Sequence, residues 1–331
     1  MTIKKIKLII GGTLLLMVII LIFWPKNKET VNIIKQESTT EKAITIPKPP
    51  FTMDSPKKIE WSLAQTDGEK INEVLITEKQ NISEVQNKKF TELMGLNYDS
   101  RQLNSDQISI IGGGGKKHIN IYLKSSSLEY GEDIENKNQF DNSSKKSIDQ
   151  LKNGLTETLN KIFEVDKLSY KIDSISYRQF IYPRWVSSSE IEADTVEIEA
   201  NYLINGTPLV SFNGSPIKAT YAWSGKLVKL QIQLPPTIKQ RNGNYNLVTV
   251  EEMKSLPIKS FYVYKIVADK NYELEAVQEK IDTVNVTSGY ISYVYDSSSN
   301  ITTPYWFLEG NSQLGTETAK VVIITPAIVV K

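Results

Sequence analysis

The sequence predicts an α+β protein in which an N-terminal transmembrane helix precedes exported antiparallel sheet covered by a few short helices. Three observations predict it. One uncharged run of membrane-spanning length lies near the start. Period-2 apolar alternation, punctuated by Asp-Gly, Asn-Gly and Ser-Gly turns, recurs through the remainder. Three capping-box spacings, Ser83/Gln86, Ser147/Gln150 and Thr249/Glu252, each open a short helical stretch.

The apolar run is Leu8–Trp24, 17 residues long, preceded by Lys4, Lys5 and Lys7 and followed by Pro25, Lys26 and Lys28. Crossing a hydrocarbon core takes roughly 17–25 residues, and Trp24 suits the membrane interface. The bulky Phe23-Trp24-Pro25 offers no small-residue cleavage site, so the helix is expected to be retained, with the amino terminus cytoplasmic and residues 25–331 outside. Residues 25–50, polar and bounded by prolines, read as an extended tether. Two exported units are expected beyond it: 51–135, a polar linker 136–146, and a larger unit 147–331.

In the first unit, Lys58–Thr66 and Lys70–Thr77 read as arms of a hairpin turning at Asp67-Gly68. Ser83 then caps a helix with Val85, Phe90, Leu93 and Leu96 as its apolar stripe, stopped at Gly95. Strands over Gln107–Ile111 and His118–Lys124 flank a glycine-rich loop. In the second unit, Ile148, Leu151, Leu155, Leu159, Ile162 and Phe163 trace one helical face. Lys167–Arg178 follows as a strand, and Thr195–Ile204 alternates so regularly that Glu197 and Glu199 should face solvent together. Asn205-Gly206, Asn213-Gly214 and Ser224-Gly225 carry a meander through Leu209–Phe212, Lys218–Trp223 and Lys226–Leu234. After the helix capped by Thr249, strands are expected at Phe261–Ala268, Thr283–Thr287, Tyr290–Tyr295, Tyr305–Leu308 and Lys320–Thr325.

Composition restricts the chemistry. The chain has 331 residues, 39 Lys and Arg against 38 Asp and Glu, 40% hydrophobic residues, one histidine and no cysteine. Thiolate catalysis, disulfides, cysteine-ligated metals and a cysteine lipid anchor are thereby excluded. Beyond residue 30 the charge is −3, from 34 basic and 37 acidic groups, and no basic run interleaved with aromatics is present, so nucleic acid is not an expected partner. Ile111–His118 (IGGGGKKH) has the wrong spacing for a phosphate loop and precedes a strand rather than a helix. His118 has no serine-nucleophile motif around it. Substitutions at His118, Lys116 and Glu197 are therefore expected to be mild.

The closing block Pro304-Tyr305-Trp306-Phe307-Leu308-Glu309-Gly310, followed by Lys320–Ala327 (KVVIITPA) and preceded by a helix within Leu247–Leu256, resembles the YycH/YycI-type membrane-anchored accessory regulators of bacterial sensor kinases. The overall layout of anchor, spacer and exported α+β domains is similar as well. The resemblance implies a non-enzymatic protein that contacts other envelope proteins, and it transfers no functional residue.

Two functions follow as expectations. The first is a membrane-anchored regulatory protein of the envelope with no catalytic residue, metal or cofactor. Its partners are the bilayer, through Leu8–Trp24, and an envelope or membrane protein. Tyr290 is the candidate partner surface, because Tyr293 and Tyr295 share one strand face and Tyr290 takes the other. The second is an envelope glycan hydrolase pairing Glu190 or Asp194 with Glu129 or Glu132.

Overall fold

The computed structural model describes residues 55–67, 71, 73–134, 140, 144–163, 169–181, 184–212, 214–243, 245–267, 281–296, 300–315 and 317–329. All of these belong to one compact unit, Thr45–Lys331. The expected anchor Leu8–Trp24 and the tether lie outside the described residues. Among the described residues no helix is long and apolar enough to cross a membrane.

The described chain is mostly antiparallel sheet with three short α-helices: α1 (Glu84–Leu93), α2 (Ile148–Phe163) and α3 (Val250–Ser255). All three expected capping boxes form. The backbone amide of the third helical residue donates to the cap hydroxyl at 3.1 Å for Gln86 to Ser83, 3.3 Å for Gln150 to Ser147 and 3.2 Å for Glu252 to Thr249. In α2 the stripe Leu151, Leu155, Leu159 and Ile162 is buried, and each such side chain contributes about 1.5–3 kcal/mol relative to exposure. In α1 the buried face is Asn87, Phe90 and Thr91, while Val85 and Leu93 stay exposed, a correction to the expected stripe. Val85 precedes Phe90 by a spacing that turns it about 140° around the helix, away from the core.

The first wing of the sheet runs in the order β3 (Gln102–Leu103), β4 (Gln107–Gly112), β5 (Lys117–Tyr122), β6 (Ser127–Glu132), β12 (Leu227–Gln233), β11 (Ile217–Ala222), β9 (Thr195–Ile204), β7 (Tyr170–Ile181) and β8 (Arg184–Ser187). Residues Ile108, Ile110, Ile119, Ile121, Leu128, Leu230, Ala219 and Ile198 fill the main core together with the α2 stripe. The β6–β12 pairing carries hydrogen bonding straight across the span expected as a linker, so strands from both expected units share one sheet.

At the far end of β9 the Asn205-Gly206 turn forms as expected, with φ of 52° and 85°, and leads into β10 (Thr207–Ser211). This strand leaves the first wing to pair in parallel with β16 (Thr283–Asp296). The second wing then continues through β17 (Ile301–Leu314), β18 (Glu317–Pro326) and β15 (Tyr262–Val267). β1 (Lys58–Asp67) pairs in parallel with β16, and β2 (Val74–Glu78) lies between the start of β17 and β13 (Thr237–Asn242). A separate two-stranded sheet joins β14 (Asn246–Leu247) to β19 (Ile328–Val329).

Two strand expectations are corrected. The hairpin between β1 and β2 does not form: both runs are strands, but each is claimed by distant partners, which bury Ile59, Trp61 and Leu63 of β1 and Leu75 of β2 against the main core. Thr283–Thr287 and Tyr290–Tyr295 are one strand, interrupted only by a bulge at Val286/Ser288. There Gly310 lets the backbones close up, since a Cβ on it would lie 2.3 Å from the Asn285 carbonyl oxygen.

The second wing curls around a smaller cluster of Val210, Phe212, Val294, Tyr305, Phe307 and Ile324. Its free end turns back at two points, onto β10 and onto the first wing. The Tyr264 hydroxyl donates to the Ser211 carbonyl at 2.9 Å, and Lys265 reaches across to β7 and β9.

Candidate functional site

The first wing has one face against α2 and the other turned outward, and strand alternation places polar side chains on the outward face in register. Ser109, Asn120, Glu129, Gln231, Lys218, Glu199 and Ser174 are successive cross-strand neighbours over seven strands. Side chains directly opposite each other lie about 4.5–5.5 Å apart, so the row is one connected ladder. None of the seven is fully buried.

The ladder is internally hydrogen-bonded. Ser109 Oγ and Gln107 Nε2 donate to Asn120 Oδ1 at 3.1 and 2.7 Å. Glu129 accepts from Gln231 Nε2 at 3.0 Å and from the Tyr122 hydroxyl at 3.3 Å, with Lys229 Nζ at 3.5 Å. Burial and the neighbouring Glu129 charge push the Tyr122 hydroxyl pKa up. Between these residues and the Ser215-Pro216 segment the surface dips into a depression of about 200 Å³ lined by Tyr122, Glu129, Lys218, Gln231 and Gln233.

At the other end the ladder meets the returning strand β15. Lys265 Nζ contacts Asp173 Oδ2 at 3.1 Å and Glu199 Oε2 at 3.2 Å, while Lys218 holds Glu199 Oε1 at 3.1 Å and Ser174 Oγ donates to Glu199 Oε2 at 2.9 Å. The Glu199 side chain is only 14% exposed. Burial alone would raise its pKa, but Lys265 and Lys218, with the hydrogen bonds from Lys218 and Ser174, outweigh burial and bring it down to about 2. Burial likewise works against the Lys265 charge, and Asp173 and Glu199 outweigh it, leaving that pKa raised. The expected wet face of Glu197 and Glu199 is therefore corrected for Glu199: the alternation is right, but β15 covers it. Glu197, 24% exposed, pairs with Arg178 at 3.3 Å.

The carboxylates expected as a hydrolytic pair are separated. Glu129 and Glu132 sit on β6, whereas Asp194 precedes β9, with β12 and β11 between, which is about 14 Å laterally at strand spacing. Asp194 accepts from the Phe180 amide at 2.8 Å and Glu132 from Lys226 at 2.7 Å. Glu190 lies beyond β8 beside Tyr177, whose hydroxyl pKa burial and Glu190 push up. Among the described residues no cluster of three or more metal-ligating side chains occurs.

His118, on β5, lies over its cross-strand neighbour Gly131, where a Cβ would come within 2.5 Å of Nε2, and its Nδ1 is 3.8 Å from Asp133. Gly113, Gly114 and Gly115 turn β4 into β5 with φ of 60°, 68° and 88°, a tight reversal that leads into a strand and Lys117. Tyr290, expected on an open face, is half-buried: its ring stacks on Phe307 at 5.3 Å and 13° against the second-wing cluster. Burial, then Glu309 and Asp173, push its hydroxyl pKa up. Trp306 faces the main core, with Nε1 donating to the Val248 carbonyl at 3.0 Å.

Sequence reasoning missed the apolar exposure of the β7–β8 hairpin. Ile181 is 57% and Trp185 40% exposed, with Ile191 at 88% in the turn that follows. Trp185 stands against Phe180 and Phe140, 5.1 and 5.5 Å between ring centroids. The run Phe180-Ile181-Tyr182-Pro183-Arg184-Trp185 is the signal that points to it.

No protein-family model matches the chain, and no curated protein does. Among solved structures, a chain from the complex of Pseudomonas aeruginosa MucA/MucB aligns over 69% of this chain and 82% of its own at 9% identity, with a TM-score of 0.12. A likeness of that size carries no argument.

Proposed function

We propose that the protein is a membrane-tethered binding component of the bacterial envelope that acts by contact rather than by catalysis. The observation that carries this reading is the charge state of the outward face. Its carboxylates are each matched by a cation: Glu129 by Lys229, Glu197 by Arg178, and Glu199 by Lys218 and Lys265. A hydrolase needs one carboxyl held protonated by a raised pKa. Glu199 is driven the other way. The Lys-flanked run Leu8–Trp24 supports the tether, and the likeness of the closing block to YycH/YycI-type regulators agrees with a non-enzymatic role.

The protein contact is assigned to the β7–β8 hairpin rather than to Tyr290, whose ring is committed to Phe307. Exposed tryptophan and isoleucine are the residue types around which protein interfaces concentrate their binding energy and apolar area. Two measurements on the full chain in cells test the reading. Protease added to spheroplasts should remove residues beyond the tether, and a photo-crosslinking residue at position 185 should capture a discrete membrane-protein partner that one at position 239 does not. Protection from protease, or equal capture from both positions, sinks it.

A further inference from the structure

We propose that the outward ladder of the first wing binds an extended, β-1,4-linked, N-acetylated glycan strand lying across β4, β5, β6, β12 and β11. The inference rests on the envelope location given above and names the ligand of that face.

The chemistry of the ladder selects the ligand. Ser109, Asn120, Glu129, Gln231 and Lys218 present hydroxyl, amide, carboxylate and ammonium groups, and the charges among them are already neutralised by Lys229 and Glu199. A face of this kind recognises a neutral partner through hydrogen bonds and holds no net charge for an ionic one. Amide side chains pair with acetamido groups as readily as with hydroxyls. Peptide partners are poorly served here: strand addition uses a sheet edge, and an amphipathic helix needs an apolar groove.

The geometry selects an extended chain. Neighbouring strands stand about 4.8 Å apart, so five strands offer one polar side chain per step over about 19 Å. That step is close to the length of one sugar unit in an extended β-1,4 chain, so a strand running across the sheet meets a new donor or acceptor at every unit. The depression beside Gln231, about 200 Å³, is smaller than the roughly 300–1,000 Å³ that encloses a drug-sized ligand. It accommodates one ring of a longer chain. Tyr122 and Pro216 form its walls, and an aromatic ring offers the C–H face of a pyranose a flat apolar surface. Because Gln107, Ser109 and Asn120 are already bonded to one another, little side-chain freedom remains to be lost on binding.

The test titrates the full chain in detergent with β-1,4-linked N-acetylglucosamine oligomers of increasing length, with an unrelated extended peptide as comparison. Affinity should rise with each added unit up to about four or five and then level off. Gln231→Ala and Asn120→Ala should each weaken binding by roughly tenfold, the loss of one net hydrogen bond. Lys239→Ala, on β13 of the other wing, should leave it unchanged. Melting temperatures are followed throughout, and if one ladder variant loses its fold the other decides. Absent or length-independent binding, preference for the peptide, or insensitivity to the folded ladder variant overturns the proposal. No binding by a chain that spheroplast protease still finds outside refutes the glycan while leaving the tether reading intact. Length-dependent binding by a protease-protected chain does the reverse.

Discussion

Lys265 of β15 and Glu199 of β9 meet at 3.2 Å although 66 residues separate them, and through this contact the second wing closes onto the first. Asp173, Lys218 and Ser174 complete the cluster. Removing one member of a buried ion pair leaves the other uncompensated, which costs about 3–5 kcal/mol when burial is complete. Lys265 is 32% exposed, so Lys265→Met should cost about 2 kcal/mol in urea unfolding. Adding Glu199→Gln should recover part of that loss. Strict additivity of the two substitutions would show that the contact contributes nothing of its own.

The same cluster sets an acid limit. The folded Glu199 pKa of about 2 lies below its ordinary value of 4.5, so its contribution is fully present above the unfolded pKa and disappears as pH falls towards the folded one. Stability should decline between about pH 5 and 2 by on the order of 2–3 kcal/mol through this group. Lys265, with its pKa raised, has the opposite sense: its contribution is full below its ordinary pKa and is lost only as pH rises through the elevated one. Glu199→Gln should flatten the acid limb of a stability–pH curve. An unchanged limb would assign the acid loss to other carboxylates.

Gly310 separates packing from backbone strain. A methyl there would strike the Asn285 carbonyl at 2.3 Å, whereas at Gly315, with φ of 62°, nothing lies within 4 Å of the point a Cβ would occupy. Gly310→Ala should destabilise by about 2–4 kcal/mol through overpacking between β16 and β17. Gly315→Ala should cost about 1 kcal/mol, the penalty of a left-handed backbone. Equal melting-temperature losses would contradict the close approach.

In the second wing, Tyr290→Ser removes a ring stacked on Phe307 and should lower stability by about 1–3 kcal/mol. Trp306→Ala empties a main-core site and leaves the Val248 carbonyl without its donor, for about 3–5 kcal/mol. A Tyr290→Ser protein that melts like the parent would mean that the ring contributes no packing.

Local chemistry in this chain is readable where the signal and the structure share a scale of a few residues. The capping boxes at Ser83, Ser147 and Thr249, the Asn205-Gly206 turn and the Leu151–Ile162 stripe depend only on near neighbours, and all form. β8, four residues long, and β13, with exposed Lys239, Gln240 and Arg241, carry too little apolar pattern to be recognised as strands. Asp67-Gly68 suggests a hairpin because turn chemistry is local, while the partners of β1 and β2 lie in the last third of the chain. The ladder is half visible: alternation gives the outward direction of Glu199, but nothing near residue 199 announces that Lys265 will cover it. Tyr290 occupies the strand face that alternation assigns to it, and only the curl of β15 brings Tyr262 and Tyr264 around to crowd it.

The parallel pairing of β1 with β16 governs the order in which the protein can acquire its structure. Thr77 and Thr302, on the neighbouring β2–β17 seam, are 225 residues apart, so these contacts close very long loops, and such contacts form late and slow folding. The first wing and its helices draw on the middle of the chain and need neither terminus. β1, made early, must therefore wait as an unpaired strand until β16 emerges, and β2 until β13 does, and unpaired strands are the segments most prone to join a neighbouring molecule. Lys57, Lys58 and Lys79 flank and occupy these early strands, and individual lysines on a strand edge disfavour such encounters. A ribosome-bound chain stopped before β16 should accordingly hold a folded first wing with a protease-sensitive amino-terminal portion, and release of the last fifty or so residues should protect both ends in a single step.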